Sequence, residues 1–566
     1  MSSIIERLTE GMVNRDMHAE GHALLNKWEK TGLLEGLGDD RQKHGMASLL
    51  ENQAKELLRE ASTMEGGNVE GFAAVAFPIV RRVFGGLIAN DLVSVQPMSL
   101  PSGLIFFLDF TYGDTKRPFT AGDSLYGGGV VGSQLTGGVS LAGANAENSF
   151  YSLNNGYSSP TGSDNATMAV IASGTVGDPS STSWAITTGY SSSVGLDKLV
   201  RFDPDLEGKK VAVGRFTLND ITDQQFNIRD YVTIVPTTAL SNGRLTRRLT
   251  RDDEVTAGEV IVVVAATGSE TTNELAGELD ATTINLSFVI DDDFVDGGAL
   301  GSVIGDPKWG LENNPYIPEI DIKVDSIAVT AMTKKLKAKW TPELAQDLNA
   351  YHNLDAEVEL TSILSEHIAL ELDQEILEDL VKGATAGTLY WSRLPGKFVN
   401  RETGAPISGA TFPDFTGNVS EWYETLAETI NDVSAQIHRK TLRGGANFIV
   451  CSPEVANLLE FTAGFRASVT HDDDRGQVGA VRVGNLSKKF DVYVDPYFPR
   501  NVILAGRKGS SFLESGYVYA PYVPLQMTPT IFGTEDFVPR KGVMTRYAKK
   551  MVRPDMYGLV VVADLI

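Results

Sequence analysis

Leu360, Leu364, Ile368, Leu372, Ile376 and Leu380 place an apolar residue at every fourth position, flanked by Leu344, Leu348, Val358, Ile363 and Leu377. That spacing predicts one long helix beginning near Thr341. Four residues overshoot a helical turn by roughly 40°, so the stripe winds. The helix is therefore expected to pack along more than one side, as a spine would. Gly383 and Gly387 supply its stop signals.

The pattern differs elsewhere. Residues 1–60 mix charges of both signs with helix formers and the pairs Leu24/Leu25, Leu33/Leu34, Leu49/Leu50 and Leu57/Leu58. They predict two or three helices with too little apolar area for a core of their own, a segment that needs a partner or is removed. An apolar run from Phe72 to Tyr112 predicts a helix over 77–89 and a strand over 104–110. From 113 to 318 Gly, Ser, Thr and Asn dominate. Short runs such as KKVAVGRFTL, DYVTIVPT, EVIVVVAAT and TTINLSFVIDDD read as antiparallel strands, so this stretch is a β-rich module inserted in a larger fold. Beyond Ser420 helices (421–440, 453–461) alternate with strands, and MYGLVVVADLI closes the chain. No internal repeat of roughly 20–50 residues marks a solenoid or propeller.

Composition narrows the function. A chain of 566 residues with 42% hydrophobic residues has material for about two to four folded units. The net charge of −24, with 49 Lys and Arg scattered along the chain, argues against sequence-reading contact with nucleic acid. The lone Cys451 can form no internal disulfide and fits a reducing compartment such as a bacterial cytoplasm. The longest apolar runs, Val260–Ala266 and Gly558–Ala563, are too short to span a membrane. Glu6, Arg7 and Glu10 interrupt any secretory core, so the chain is expected to stay where it is made.

Candidate chemistry is sparse. Gly127–Gly132 contains a literal GxGxxG, but LTGGVSLAGANAENS follows where a phosphate site needs a helix. No GxxxxGK[ST], HExxH or GxSxG motif occurs. Asp291, Asp293 and Asp296 are weak candidates for a calcium ion, without the spacing or closing Glu of an EF-hand loop. His471 with Asp472–Asp474 lacks the rest of a ligand set, and His367 with Glu371 reads as a hydrogen bond along a helix. The expectation is a structural protein with no catalytic residues and no cofactor.

Several blocks carry a resemblance. VRRVFGGLIANDL, VSVQPMSLPSGLIFFLDF (93–110) and LKAKWTPELAQDLNAYHNLDAEVELTSILSEHIALELDQEIL (336–377) resemble the major capsid proteins of T-even-type (T4-like) tailed bacteriophages. So do GANFIVCSPEVANLL, KKFDVYVDPYF, SGYVYAPYVPL and VMTRYAKKMVRP. The matching blocks cover about 20–112 and 314–566, and leave the β-rich insert unmatched.

The resemblance implies an α+β fold of the Hong Kong 97 type (HK97-like). Its parts would be a removable helical scaffold-interacting segment (1–60), an N-terminal arm (61–112), an E-loop with a β-rich insertion domain (113–318), a peripheral domain with the spine helix (319–400 and 526–566) and an axial domain (401–525). It implies a virion protein that forms homo-hexamers, meets neighbouring capsomers, and encloses DNA without sequence-specific binding in an icosahedral head. Implied partners are a scaffold and a prohead protease during assembly, with vertex and decoration proteins on the shell. Family members are cut after Glu in a Leu-x-Glu sequence. Leu58, Glu60 and Ala61 fit that pattern, which makes Glu60–Ala61 the candidate bond. Two other readings stay open: the paralogous pentamer-forming vertex protein, and a carbohydrate-binding or hydrolytic β protein resting on Tyr126, Tyr151, Tyr157, Trp184 and Tyr190 of the insert.

Overall fold

The computed structural model describes residues 17–34, 40–61, 87–98, 100–113, 121–122, 162–177, 196–217, 226–236, 240–253, 259–268, 270–280, 283–290, 319–352, 354–407, 415–467, 481–509 and 516–565. Helices and mostly antiparallel sheets coexist, so the α+β class is found. The chain divides into two compact units: residues 1–107, 134–138 and 325–566 form the first, and 108–133 with 139–324 the second. Strands Ser102–Tyr112 and Ile320–Thr330 pair with each other, and two of the chain's passages between the units fall within them.

The first unit is organised around the spine. The expected single helix is two: Pro342–His352 and Ala356–Gly383. The apolar pattern runs through the break, but Asp355 stops the first helix from continuing. It takes an extended backbone, and its side chain accepts a hydrogen bond from the Glu357 N–H at 2.9 Å, an N-cap that starts a new helix. Leu364, Ile368, Leu372, Ile376 and Leu380 are buried as the periodicity requires. Val358 and Ile363 are more than half exposed, so the winding stripe leaves one side of the spine's first turns uncovered within this chain.

The spine lies on a five-stranded sheet ordered Ser94–Val95, Tyr517–Met527, Pro539–Met551, Met332–Lys339, with Ile531–Phe532 added beside Pro539–Met551. Leu336 faces Val543 across this sheet, and both join the spine's buried row in one core with Tyr519, Leu525 and Tyr547. The two N-terminal helices, Met17–Glu29 and Asp40–Ala61, contribute Trp28, Met46, Leu49 and Leu50 to that same core, and Leu34 of the turn after the first helix joins them. The partner that this segment needs is thus the rest of its own unit. Glu51 ties the two helices, accepting from Lys27 at 2.7 Å and from the Trp28 indole at 3.2 Å.

A seven-stranded sheet carries the second core of this unit. Its order is Thr388–Ser392, Tyr557–Ala563, Val502–Gly506, Phe448–Cys451, Phe490–Val494, Val481–Leu486, Phe465–Ala467. Helix Val419–Thr441 lays Leu426, Ile430, Val433 and Ile437 against it, at the helical spacing read from sequence. Strands Thr388–Ser392 and Tyr557–Ala563 belong to segments expected in the peripheral domain, yet they hydrogen-bond within the sheet of 448–506.

The second unit is the β-rich insert. Strands Ala169–Thr175, Lys210–Thr217 and Glu259–Ala266 form the body of one sheet, and Gly162–Thr167, Phe226–Pro236 and Thr283–Ile290 form another. The run EVIVVVAA is buried on both faces. Val260, Val262 and Val264 meet Leu275 and Leu279 of helix Thr272–Asp280, while Ile261 and Val263 meet Leu199, Leu206 and Leu249. Two-sided burial explains why its apolar residues are continuous instead of alternating.

Leu372 is fully buried between spine and sheet. Leu372→Ala is expected to cost about 2–5 kcal/mol. In differential scanning calorimetry the transition of the first unit should fall and that of the second should hold.

Candidate assembly surfaces

One helix face carries the polar chemistry of the first unit. Glu371, Glu375 and Asp379 stand four residues apart on the spine, beside the apolar row, and the strands beneath supply their cations. Lys334 reaches Glu371 at 3.0 Å and Glu375 at 2.9 Å; Lys549 reaches Glu375 at 2.6 Å and Asp379 at 2.7 Å. The Tyr547 hydroxyl donates to Glu375 at 2.6 Å and the Tyr517 hydroxyl to Asp379 at 2.8 Å. At the start of the spine, Glu357 accepts from Lys541 and from the Thr530 hydroxyl, both at 2.8 Å.

Electrostatics follow from this packing. Burial alone would raise the Glu375 carboxyl, but hydrogen bonds from Lys549, Tyr547 and Lys334 outweigh it and hold the carboxyl at about 2. Burial, the accepting Glu375 and its charge push the Tyr547 phenol upward. These groups stay in the ionisation states that bond them across the neutral range. The arrangement is a clamp that joins helix to sheet.

The alternation of strand residues sorts the remaining charges. Lys334 and Leu336 face the spine, so Lys335, Lys337 and Lys339 point to the sheet's other face. Lys339 pairs across the ladder with Arg540 and Thr333 with Arg546, which places both arginines on that face as well. The lysines are exposed. Arg540 meets Asp536 at 2.8 Å, and the Arg546 guanidinium lies 5.3 Å from the Tyr522 ring. The cations are therefore not simply scattered, as counting along the chain implies: the fold gathers five of them onto one sheet face. The signal was present in the sequence as KKLKAK, with Lys at every second position of a strand.

Exposed apolar residues border these charges. Ile531 and Phe532 are 58% and 63% exposed beside Arg540, and Phe537 is 74% exposed. On the helical side, Pro342–His352 buries none of its residues, and Leu344, Asp347 and Tyr351 share one of its faces.

The candidate residues fall in different places. Leu58, Glu60 and Ala61 lie in the last turn of helix Asp40–Ala61. Asp291, Asp293, Asp296, the Gly127–Gly132 loop, His471–Asp474, most of the 77–89 helix and the aromatics Tyr126, Tyr151, Tyr157, Trp184 and Tyr190 lie outside the described residues. His367 is exposed, and Glu371 is bonded to Lys334. Cys451 is buried, and burial pushes its thiol up to about 12, which keeps it an inert core group. Among the described residues no three His, Cys, Asp or Glu converge as a metal site, and no helix is long and apolar enough to cross a membrane.

A mortised helix and sheet with charged and apolar faces left bare describe a building unit that associates through surfaces. Comparison with known proteins identifies the class. The chain belongs to the family described as Major capsid protein Gp23, whose profile matches residues 69–241 and 246–564. It is 32% identical over 247 residues to the major capsid protein of Vibrio phage KVP40, covering 42% of this chain and 46% of that protein. It is 31% identical over 255 residues to that of Enterobacteria phage T4, covering 42% and 46%. The chain thus spans about half the length of the curated relatives it matches. The capsid structure of cyanophage P-SCSP1u aligns with 43% of this chain and 76% of its own at 13% identity, with a TM-score of 0.28, too loose an overlap to bear on the argument.

The clamp makes stability depend on acid. With its folded carboxyl near 2 and the ordinary glutamate value near about 4.3, Glu375 contributes stability that is fully present above the ordinary value and is lost as pH falls toward 2. Glu375→Gln should destabilise the first unit by about 1–3 kcal/mol at neutral pH. It should also flatten the fall of its thermal transition between pH 4.5 and 2, read by calorimetry across that range.

Proposed function

We propose that this chain builds the head shell of a tailed phage, arranged mainly as hexamers in an icosahedral lattice that encloses the genome without sequence-specific contact. Membership of the major capsid protein family, across residues 69–241 and 246–564, is the observation that carries this reading. Its function is then geometric and not catalytic. Each subunit meets several neighbours, standard-sized interfaces bury on the order of 1,600 Å², and many modest contacts add up through avidity. A helix that buries nothing within its own chain, Pro342–His352, supports this role, since it has apolar and charged side chains to offer a neighbour.

The architecture that goes with the proposal is of the Hong Kong 97 type, with the spine in a peripheral domain (319–400 and 526–566), an axial domain at 401–525, an arm at 61–112 and an E-loop with its insertion at 113–318. The scaffold, prohead protease, vertex and decoration proteins are its proposed partners. Processing between Glu60 and Ala61 is supported by the position of that bond in a terminal helical turn, where fraying gives a protease extended backbone at little cost.

Two measurements test this. Overexpressed chain, with its scaffold and protease, should give shells, tubes or hexamers by electron microscopy; a persistent monomer would sink the shell reading. Intact mass of the subunit from mature particles should match a chain starting at Ala61, and Glu60→Gln should leave the segment attached. A mature mass starting elsewhere removes Glu60 from its role without touching the shell assignment.

A further inference from the structure

The first unit presents two unlike surfaces on opposite sides of one sheet. The face turned away from the spine carries Lys335, Lys337, Lys339, Arg540 and Arg546, bordered by exposed Ile531, which pairs with Arg540. The helical side carries Glu343 and Asp347 on Pro342–His352, and Glu359 on the uncovered first turns of the spine, all exposed. Among them stand Leu344, Tyr351, Val358 and Ile363, each about half exposed or more.

We infer that the basic face of one copy docks onto the acidic helical face, residues 343–366, of a second copy of this chain. The inference rests on the shell reading, and names the surfaces through which that shell would be joined. Charge complementarity selects the occupant. A chain of net charge −24 repels its own copies over most of its surface, so a basic sheet face meeting an acidic helical face is one of few approaches that attract. Apolar composition points the same way. Ile531 beside Arg540, and Leu344 and Tyr351 beside the carboxylates, supply apolar area that a protein interface can dehydrate next to its charges. A surface reserved for a nucleic-acid backbone gains nothing from a bare isoleucine side chain at its edge.

The geometry of the contact also follows. The two surfaces are different patches of the same molecule, so the interface is head-to-tail and not self-complementary. Such a contact leaves one copy with its acidic face free and the other with its basic face free, and it propagates until the rotation closes a ring. A twofold dimer through these patches would set like charges against each other.

A charge swap tests this on the full-length chain. Lys335→Glu/Lys337→Glu/Lys339→Glu reverses one face, and Glu343→Lys/Asp347→Lys/Glu359→Lys reverses the other. Each triple variant alone should sediment as a monomer under conditions where the unaltered chain assembles, with circular dichroism and thermal unfolding unchanged. Mixing the two in equal amounts should restore assembly, because reversed faces match each other and unaltered faces match each other around an alternating ring. Combining all six substitutions in one chain should restore it too. Should a triple variant lose its thermal transition, the corresponding Lys→Gln or Glu→Gln, Asp→Asn set replaces it, and assembly should then shift to higher protein concentration.

Assembly of either triple variant to the level of the unaltered chain overturns the inference, as do folded variants that the swap does not restore. Normal assembly of the lysine variant with lost salt-sensitive DNA binding overturns it in favour of nucleic acid as the occupant. If the unaltered chain forms no assembly, the shell reading fails first, and is distinguished by that control.

Discussion

The three carboxylates Glu371, Glu375 and Asp379 bind the spine to Lys334 and Lys549 of two neighbouring strands, and the rest of the first unit is arranged around that junction. An apolar row alone would let a long helix slide or rotate over a sheet, since hydrophobic contact has little direction. The ion pairs, reinforced at Glu375 by a second cation and the Tyr547 hydroxyl and at Asp379 by the Tyr517 hydroxyl, fix the axial position. Lys334 holds Glu371 and Glu375 at once, and Lys549 holds Glu375 and Asp379, so adjacent turns share their cations. Pairs this close and only part-buried outdo an isolated surface salt bridge, because hydrogen bonds from Tyr547 and Tyr517 offset part of the cost of desolvating them.

That junction sets what is left over. Strand alternation sends every second residue of Met332–Lys339 away from the spine, so fixing Lys334 inward fixes Lys335, Lys337 and Lys339 outward. A one-residue slip would exchange the two sets, burying the wrong lysines and leaving Glu375 without its partner. The clamp thus specifies both the register of the sheet and the sign of its outer face.

Periodic features were legible in the sequence, and relations between distant residues were not. Burial imposes a four-residue repeat on Leu364–Leu380 and on Leu426–Ile437, and both were visible without a structure. Glu371, Glu375 and Asp379 repeat at the same interval, but nothing local says whether such a row meets solvent or cations, and its partners lie on strands far away in the chain. The break before Ala356 was hidden because the apolar pattern crosses it; only the Asp355 cap, a local hydrogen bond, reveals it. The basic face was readable in KKLKAK once the segment is placed on a strand. Counting charges over 566 residues averaged it away.

The N-terminal segment shows how a sound local argument can meet a different global outcome. Its helices hold too few apolar residues for a core of their own, and the fold answers by sharing one: Trp28, Leu34, Met46, Leu49 and Leu50 are buried with the spine row and Tyr519. The Asn52 side chain adds a hydrogen bond to the Met98 carbonyl at 3.1 Å. On the proposed scission after Glu60, the covalent link goes but this packing does not. Burying such side chains is worth about 1.5–3 kcal/mol each, so five of them hold a cut segment in place until something else covers the same core. On that proposal cleavage and release are separate events, and the second needs a replacement surface for the same core.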